Sequence, residues 1–508
     1  MKHNNRLSVF ANLWRPATVG AACLGCAATA HASGDDFQLT PSIGLQQVYN
    51  STSQGPNGPS SDLLVSQIST AIHVTGDTPH ATLDLSYSPS FNHYELGNVQ
   101  DHVEQNELSS ALITPFANLL TIKIDTYAVE MGAKSNSLSG LGGTLTQADD
   151  RMLYYIGNIA PHFSERFGNV ATLDAFYRLK SANTSDESTR LPGARSGSSD
   201  SLQQEAQAII GSGESFGRLS ASLNFDHTTG TAGSQGGASS SNDSDYVGLE
   251  YHINHAFSLT GSIGYQKIFY GPTLQTPSFT SEGMTWNAGG RYTPNPLTMV
   301  SVSYGLQQGA YVPTLQLTYA LGQRTTLTAS YITKVLTQLE SFADNLQYLT
   351  YNAAGQPIDS RTGLPYVGIS NIFGSQNALF RDKPLTIAIN HELERSGITA
   401  TLTYEVRSSV TGAPARDVAF GGSLGYFREL TPLLKCNIDF EFTDHRSSGA
   451  VEFGAEHAQL LNANFWLEYK LSETATARLA GAYLQRISNI TANDATTTQV
   501  TLGLKKDF

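Results

Sequence analysis

The sequence predicts an all-β chain that folds as a transmembrane, antiparallel, up-and-down β-barrel of about 22 strands, with a range of about 18 to 24. Three observations predict it: an export leader, segments in which apolar and polar residues alternate, and connections that are alternately short and long. The segments run for about 10 to 14 residues, enough to cross a bilayer at a tilt, whereas ordinary strands average about 5 to 6.

Composition supports this class. The chain has 508 residues, only 14% of them charged, against about 25% in a typical soluble domain. The formal net charge is −13, which disfavours nucleic acid as a partner. After the leader, no stretch reaches the roughly 18 consecutive apolar residues of a membrane-spanning helix. We therefore expect outer-membrane lipid to be the partner of the strands.

Residues 1–32 are predicted to be a cleaved signal peptide. Lys2, Arg6 and Arg15 supply positive charge, and Ala17–Ala28 is an apolar run too short to span a bilayer. Ala30-His31-Ala32 has the small-x-small pattern of a cleavage site. The mature chain would then be one domain, residues 33–508. Four residues separate that site from the first predicted strand, so we expect no amino-terminal plug domain.

The three cysteines suggest no disulfide framework. Cys23 and Cys26 lie in the leader, where Cys26 is an alternative, lipoprotein-type processing site that is disfavoured because Cys23 stands at position −3. Cys436 falls on the apolar face of its strand, beside Ile438 and Phe440, and we expect an inert thiol.

Alternation with a period of two identifies the strands. In Ile398–Arg407 the apolar residues occupy every second position, and Lys435–Thr443 and Gln459–Lys470 repeat the pattern. Connections after even-numbered segments are short, as in Gly322–Arg324. Those after odd-numbered segments are mostly long and polar, as in Thr228–Ser244. Short periplasmic turns and long outer loops are typical of outer-membrane barrels.

The longest connection, residues 337–382, differs from the others because it is rich in apolar residues. A solvated loop rarely holds so many, so we expect it to fold into or over the lumen. Five aromatic residues of this loop are candidate contacts for a solute: Phe342, Tyr348, Tyr351, Tyr366 and Phe373.

The last segment, Thr497–Phe508, places Val500, Leu502 and Leu504 on one face and ends in an aromatic residue. It resembles the carboxy-terminal assembly signal of bacterial outer-membrane barrels, with Phe508 as the signal residue. Lys506 departs from that signature, which usually carries an apolar or aromatic residue there.

The polar face of each strand supplies the candidate lumen residues. These side chains would form a channel wall whose charges tune selectivity, or would simply solvate the inner wall. They are Lys123, Asp125, Asp174, Arg178, Glu405, Arg407, Asp439, Glu441, Glu468 and Lys470.

No pattern indicates catalysis or a resident metal. His252 and His255 are better explained as part of a polar turn, and the acidic spot Asn242–Asp245 lacks the ligand set of a calcium loop. Gly213–Gly217 and Gly421–Gly425 match Gly-x-Ser-x-Gly, but neither precedes a predicted helix, as a nucleophile elbow requires. We expect no enzyme activity, no cofactor and no metal.

Three pieces near the amino terminus, Phe37–Leu45, Ser61-Asp62 and Leu83–Tyr87, resemble the β-barrel porin type 2 group, which is associated with exopolysaccharide and exosortase systems. That resemblance covers roughly the first hundred mature residues and implies a large barrel linked to polysaccharide synthesis or export. A polysaccharide and its machinery are therefore expected partners. The function hypothesis is a porin-like channel or exporter. The alternatives are a non-conducting scaffold or adhesin and, less favoured, a barrel-borne hydrolase.

Overall fold

The structure is a computed structural model. It describes residues 37–55, 60–96, 100–117, 119–132, 151–186, 200–233, 239–272, 277–337, 349–351, 357–359, 379–410, 416–450 and 454–508. The predicted leader falls outside these ranges. So does most of the predicted loop 337–382, including Phe342, Tyr348, Tyr366 and Phe373, and no side chain is described for Tyr351.

The described residues form a closed antiparallel barrel of 22 strands, which confirms the predicted fold class and strand number. Three of the strands are each interrupted by two residues. Among the described residues, no helix is long and apolar enough to cross a membrane. The first eleven strands are β1 Phe37–Gln54, β2 Ser60–Thr78, β3 Ala81–Tyr87 and Ser90–Leu96, β4 His102–Glu104 and Glu107–Phe116, β5 Leu120–Gly132, β6 Arg151–Phe167, β7 Ala171–Asp186, β8 Asp200–Ser212, β9 Leu219–Gly233, β10 Ser239–His252 and β11 Phe257–Tyr270.

The remaining strands complete the wall in chain order, and each pairs with the strand before it. They are β12 Phe279–Asn295, β13 Thr298–Gln307, β14 Ala310–Ala320, β15 Thr325–Tyr331 and Lys334–Thr337, β16 Leu379–Glu392, β17 Ser396–Ser409, β18 Arg416–Thr431, β19 Leu434–Ala450, β20 Gly454–Lys470, β21 Ala475–Ser488 and β22 Ala495–Asp507.

The barrel closes where β1 pairs with β22. Leu45 lies opposite Leu504 and Tyr49 lies opposite Val500, and the pairing continues from Ser42 to Gln54. Beyond it, the backbone N–H of Phe508 donates to the carbonyl of Pro41 at 2.9 Å. This seam leaves neither the first nor the last strand with an open edge, as a membrane barrel requires.

The two faces of the wall differ in chemistry. On β22 the outward side chains Val500, Leu502 and Leu504 are exposed, Leu502 to 60%. On β20 the outward side chains include Phe465 and Tyr469, whereas Trp466 points inward and is buried. Apolar side chains that are exposed on the outer face are expected when that face contacts hydrocarbon rather than water.

The connections keep the predicted parity, but several strands run farther than expected. The loop predicted at 228–244 is mostly hairpin, because Thr228 pairs with Asn242 and Thr231 with Ser239. That prediction was wrong because Ser, Thr and Gly resemble loop residues, yet each can still pair through its backbone. One outer connection is very short: Gln308 and Gly309, both with positive φ, form a two-residue turn between β13 and β14.

A separate two-stranded hairpin pairs Leu349–Tyr351 with Pro357–Asp359 within the predicted lumen loop. The expectation that residues 337–382 fold into or over the lumen rests mainly on residues outside the described ranges and stays a prediction.

Deleting Phe508 should impair barrel assembly. The deletion removes the hydrogen bond to Pro41 and the aromatic ring that lies 5.1 Å from the Lys506 ammonium. We expect a smaller fraction of heat-modifiable, outer-membrane-inserted protein on gels of membrane fractions. Phe508→Tyr keeps both features and should assemble normally. Normal heat-modifiable folding of the deletion variant would contradict the assigned role of this residue.

Candidate functional site

Five ion pairs or histidine–carboxylate hydrogen bonds lie on the inner face of β2 to β12. Several of their side chains remain accessible to water: Asp84 is exposed to 70% and Lys123 to 52%. This part of the wall therefore faces an open polar space. The pairs are His73–Asp84 at 2.9 Å, Lys123–Asp125 at 3.2 Å, His162–Asp174 at 2.9 Å, Arg178–Glu205 at 3.0 Å and Arg291–Glu250 at 3.3 Å.

Asp125 links three strands of this open side. Its carboxylate accepts hydrogen bonds from Ser110 on β4 at 2.9 Å and from Asn158 on β6 at 3.0 Å, in addition to its pair with Lys123. Asp125 itself is buried. Because the carboxylate is held by neighbours on both sides, it fixes the position of an ammonium group that remains in solvent.

The opposite part of the inner wall carries charges that are buried. Arg407 on β17, with a side chain exposed to only 3%, lies 2.6 Å from Glu405 and 3.7 Å from Asp382 on β16. Its guanidinium also lies 5.9 Å from the ring centroid of Phe380. Asp417 on β18 pairs in register with Arg407 and is buried as well. Carboxylates therefore outnumber the guanidinium in this cluster.

A second cluster of buried charged side chains lies near the same end of the barrel. Arg486 on β21 donates to Glu456 on β20 at 2.7 Å, and Ser488 donates to the same carboxylate oxygen at 2.7 Å. Asn493, in the short connection before β22, donates to it at 3.1 Å. Glu456 thus links β20, β21 and the connection between β21 and β22.

The remaining predicted lumen residues lie on β19 and β20. Asp439 accepts a hydrogen bond from Asn437, and Glu441 accepts one from Asn462. Glu468 lies opposite Arg478 in register. Lys470 is exposed at the end of β20. Of the ten predicted residues, Lys123 pairs with Asp125, and Glu405 pairs with Arg407. Asp174 and Arg178 pair instead with His162 and Glu205, which were not predicted.

Sequence reasoning missed Arg486, Glu456, Asp382, His445 and Trp466, all of them buried in the structure. Glu456 and Asp382 lie just outside the alternating segments used for prediction, so extending the alternation by one or two positions would have found them. No sequence signal distinguishes a buried inward charge from an exposed one.

The two Gly-x-Ser-x-Gly patterns form a turn and part of a strand of the barrel. Gly213–Gly217 is the turn between β8 and β9, and Gly421–Gly425 lies inside β18, so neither precedes a helix. Within the described part of the chain there is no cluster of three or more side chains suited to hold a metal ion. Cys436 is buried on β19, opposite Arg428 and Leu467.

No family model and no curated protein matches the sequence. Solved structures do match the fold. The FrpB iron transporter of Neisseria meningitidis superposes with a TM-score of 0.52 for the F3-3 variant and 0.51 for the F5-1 apoprotein, each at 10% identity, covering 92% and 94% of this chain and 82% of each FrpB chain. The siderophore receptor PiuA of Acinetobacter baumannii superposes with a TM-score of 0.50 at 10% identity, covering 94% of this chain and 82% of PiuA.

These likenesses establish the shared fold. The lipid-compatible outer face and the closed 22-strand wall agree with it. The chain is a bacterial outer-membrane β-barrel. Its short turns then mark the periplasmic end, and the open ion pairs and buried charge clusters line its lumen.

Breaking the buried Arg486–Glu456 pair should destabilise the barrel far more than breaking an exposed pair. Removing one partner leaves an uncompensated buried charge, so Arg486→Ala should lower the free energy of unfolding by about 3 kcal/mol. The matched control is Arg324→Ala, which removes an exposed pair with Glu394 at 3.2 Å and should cost at most about 1 kcal/mol. Urea unfolding in lipid vesicles measures both, and equal costs would contradict the importance of burial.

Proposed function

We propose that the barrel is a channel for polar solutes across the outer membrane. The observation that carries this proposal is the row of accessible charged side chains on the inner face of β2 to β12, in a wall whose outer face is apolar. Fixed charges of both signs in a water-accessible lumen favour the passage of hydrated solutes and tune ion selectivity. FrpB is an iron transporter and PiuA is a siderophore receptor, which supports a transport role for this barrel without identifying its solute.

The proposed solute class is a saccharide connected with exopolysaccharide synthesis or secretion. Support comes from the resemblance of Phe37–Leu45 and Leu83–Tyr87 to the β-barrel porin type 2 group. Passage would be passive, because no catalytic or nucleotide-binding pattern accompanies the barrel. The alternative is a non-conducting scaffold that presents its outer hairpins. Absence of ion and saccharide passage through the purified protein would favour that alternative.

Charge reversal at Lys123 should shift ion selectivity. Lys123→Glu places a second carboxylate beside Asp125 in the accessible lumen, so the reversal potential in planar bilayers should move toward stronger cation preference. The matched control is Arg446→Glu, which makes the same change on the outer face, where the Arg446 side chain is exposed to 68%. We expect the control to leave the reversal potential unchanged. Equal shifts in both variants, or none in either, would contradict a conducting lumen lined by β5.

The channel proposal has a second part, which concerns the long connection between β15 and β16. We propose that residues 337–382 narrow the lumen, as wide barrels of outer-membrane transporters tend to hold a plug. Replacing residues 341–376 by a short Gly/Ser linker should then raise single-channel conductance several-fold. Unchanged conductance in a normally folded variant would remove this part of the proposal.

A further inference from the structure

One section of the lumen wall combines an aromatic ring with planar polar side chains. Trp466 on β20 lies near the periplasmic end and points inward. Cross-strand register surrounds it with amide, carboxyl and guanidinium groups from β19 to β21. We call this set the Trp466 wall: Asn437, Asp439, Glu441, Asn462, Asn464, Trp466 and Arg478.

The indole and the guanidinium of this wall retain unused donors. Arg478 lies 5.3 Å from the ring centroid of Trp466. The indole N–H and the Nε–H of Arg478 are both buried and have no hydrogen-bond acceptor among the described residues. Buried donors without acceptors cost roughly 1–3 kcal/mol each, so a ligand oxygen placed there would recover stabilisation.

The strands beside Trp466 carry small side chains at the inward positions. Ala480 lies directly opposite Trp466, Ala482 lies opposite Asn464, and Gly503 lies opposite Arg478 on the next strand. Ala480 and Ala482 therefore add little side-chain volume beside Trp466 on β21, whereas a Cβ at Gly503 would lie 3.2 Å from the side chain of Gln46. On the β21 side, the Trp466 wall is thus bordered by small side chains.

The charges of this region leave a negative excess. Lys435 pairs with Glu429 at 3.3 Å, and Arg478 lies opposite Glu468 in register. Asp439 and Glu441 have only amide partners, Asn437 and Asn462, and no ion pair within the described residues. An anionic ligand would therefore meet two carboxyl groups that no cation offsets.

We propose that the Trp466 wall is a binding subsite for neutral saccharides. The inference rests on the proposed function, since it requires that polar solutes enter the lumen. Sugar hydroxyl oxygens accept hydrogen bonds from the indole and guanidinium N–H groups, and sugar hydroxyls donate to Asp439, Glu441 and the amide oxygens. Aliphatic sugar faces pack on aromatic rings, whereas uronate groups are repelled by the carboxyl pair.

The affinity should be weak. Trp466 is only 3% exposed, so a ligand must take the place of the groups that now shield the indole. We expect a dissociation constant of about 1 mM or weaker for one short oligosaccharide. Weak binding suits passage, because a tightly held solute would not leave the channel.

Blockade of ion current tests the subsite. Maltohexaose should reduce current through the wild-type barrel in planar bilayers, and hexagalacturonate should block at least about tenfold less effectively. Trp466→Ala should weaken the maltohexaose block at least about fivefold. The control Trp286→Ala removes an outward-facing tryptophan and should leave the block unchanged. Wild-type current that maltohexaose does not block would overturn the subsite while leaving the channel proposal intact.

Two further measurements keep the proposal testable if current is absent or if Trp466→Ala fails to fold. Of the three tryptophans, Trp14 lies in the predicted leader, so Trp286→Phe makes Trp466 the reporter of the mature chain. Maltohexaose should change the fluorescence of that variant, and no change at concentrations up to about 50 mM would overturn the subsite. The isosteric double variant Asp439→Asn with Glu441→Gln should gain affinity for hexagalacturonate. Unchanged discrimination in it would refute the charge argument.

Discussion

Closure of the backbone hydrogen-bond ladder is the constraint on which the rest of this structure depends. In hydrocarbon, an unpaired backbone N–H or C=O group costs several kcal/mol, so a spanning sheet must leave no open edge. The pairing of β1 with β22 from Ser42 to Gln54 meets that requirement. Closure also divides the side chains into two sets. One set faces lipid and is apolar, and the other faces the lumen and carries the polar chemistry.

The charged side chains of the lumen wall differ in their exposure to water. On β2 to β12 the charged groups are accessible, and pairs such as Lys123–Asp125 keep an ammonium group in water. On β16 to β21 several charges are buried. Arg407 is held by Glu405 on its own strand and by Asp382 on the adjacent one, and Arg486 is held by Glu456 on the adjacent strand. A buried arginine–carboxylate pair orients both groups but offers little to a passing solute. We therefore assign the proposed solute passage to the accessible side, with the Trp466 wall at its margin.

Hydrogen-bonding chemistry also explains where strand prediction failed. The alternation of Ile398–Arg407 and Gln459–Lys470 located the strands because lipid on one side and water on the other impose a period of two. Alternation weakens above the membrane, where both faces of a hairpin meet water. The Ser-rich residues 239–244 therefore looked like a loop, although their backbones pair with β9.

The sequence by itself determined the fold class, the strand number and the apolar outer face, because each follows from a local period and from the lengths of the connections. It also supplied Lys123, Asp125, Glu405 and Arg407 as inward-facing charges. Only the tertiary structure decided which inward charges are accessible and which are buried, and which of them meet. Arg486 donates to Glu456, which is 30 residues away in sequence, and the neighbours of Trp466 come from three strands. Burial and pairing across strands depend on register and on the curvature of the closed wall, which no local period encodes.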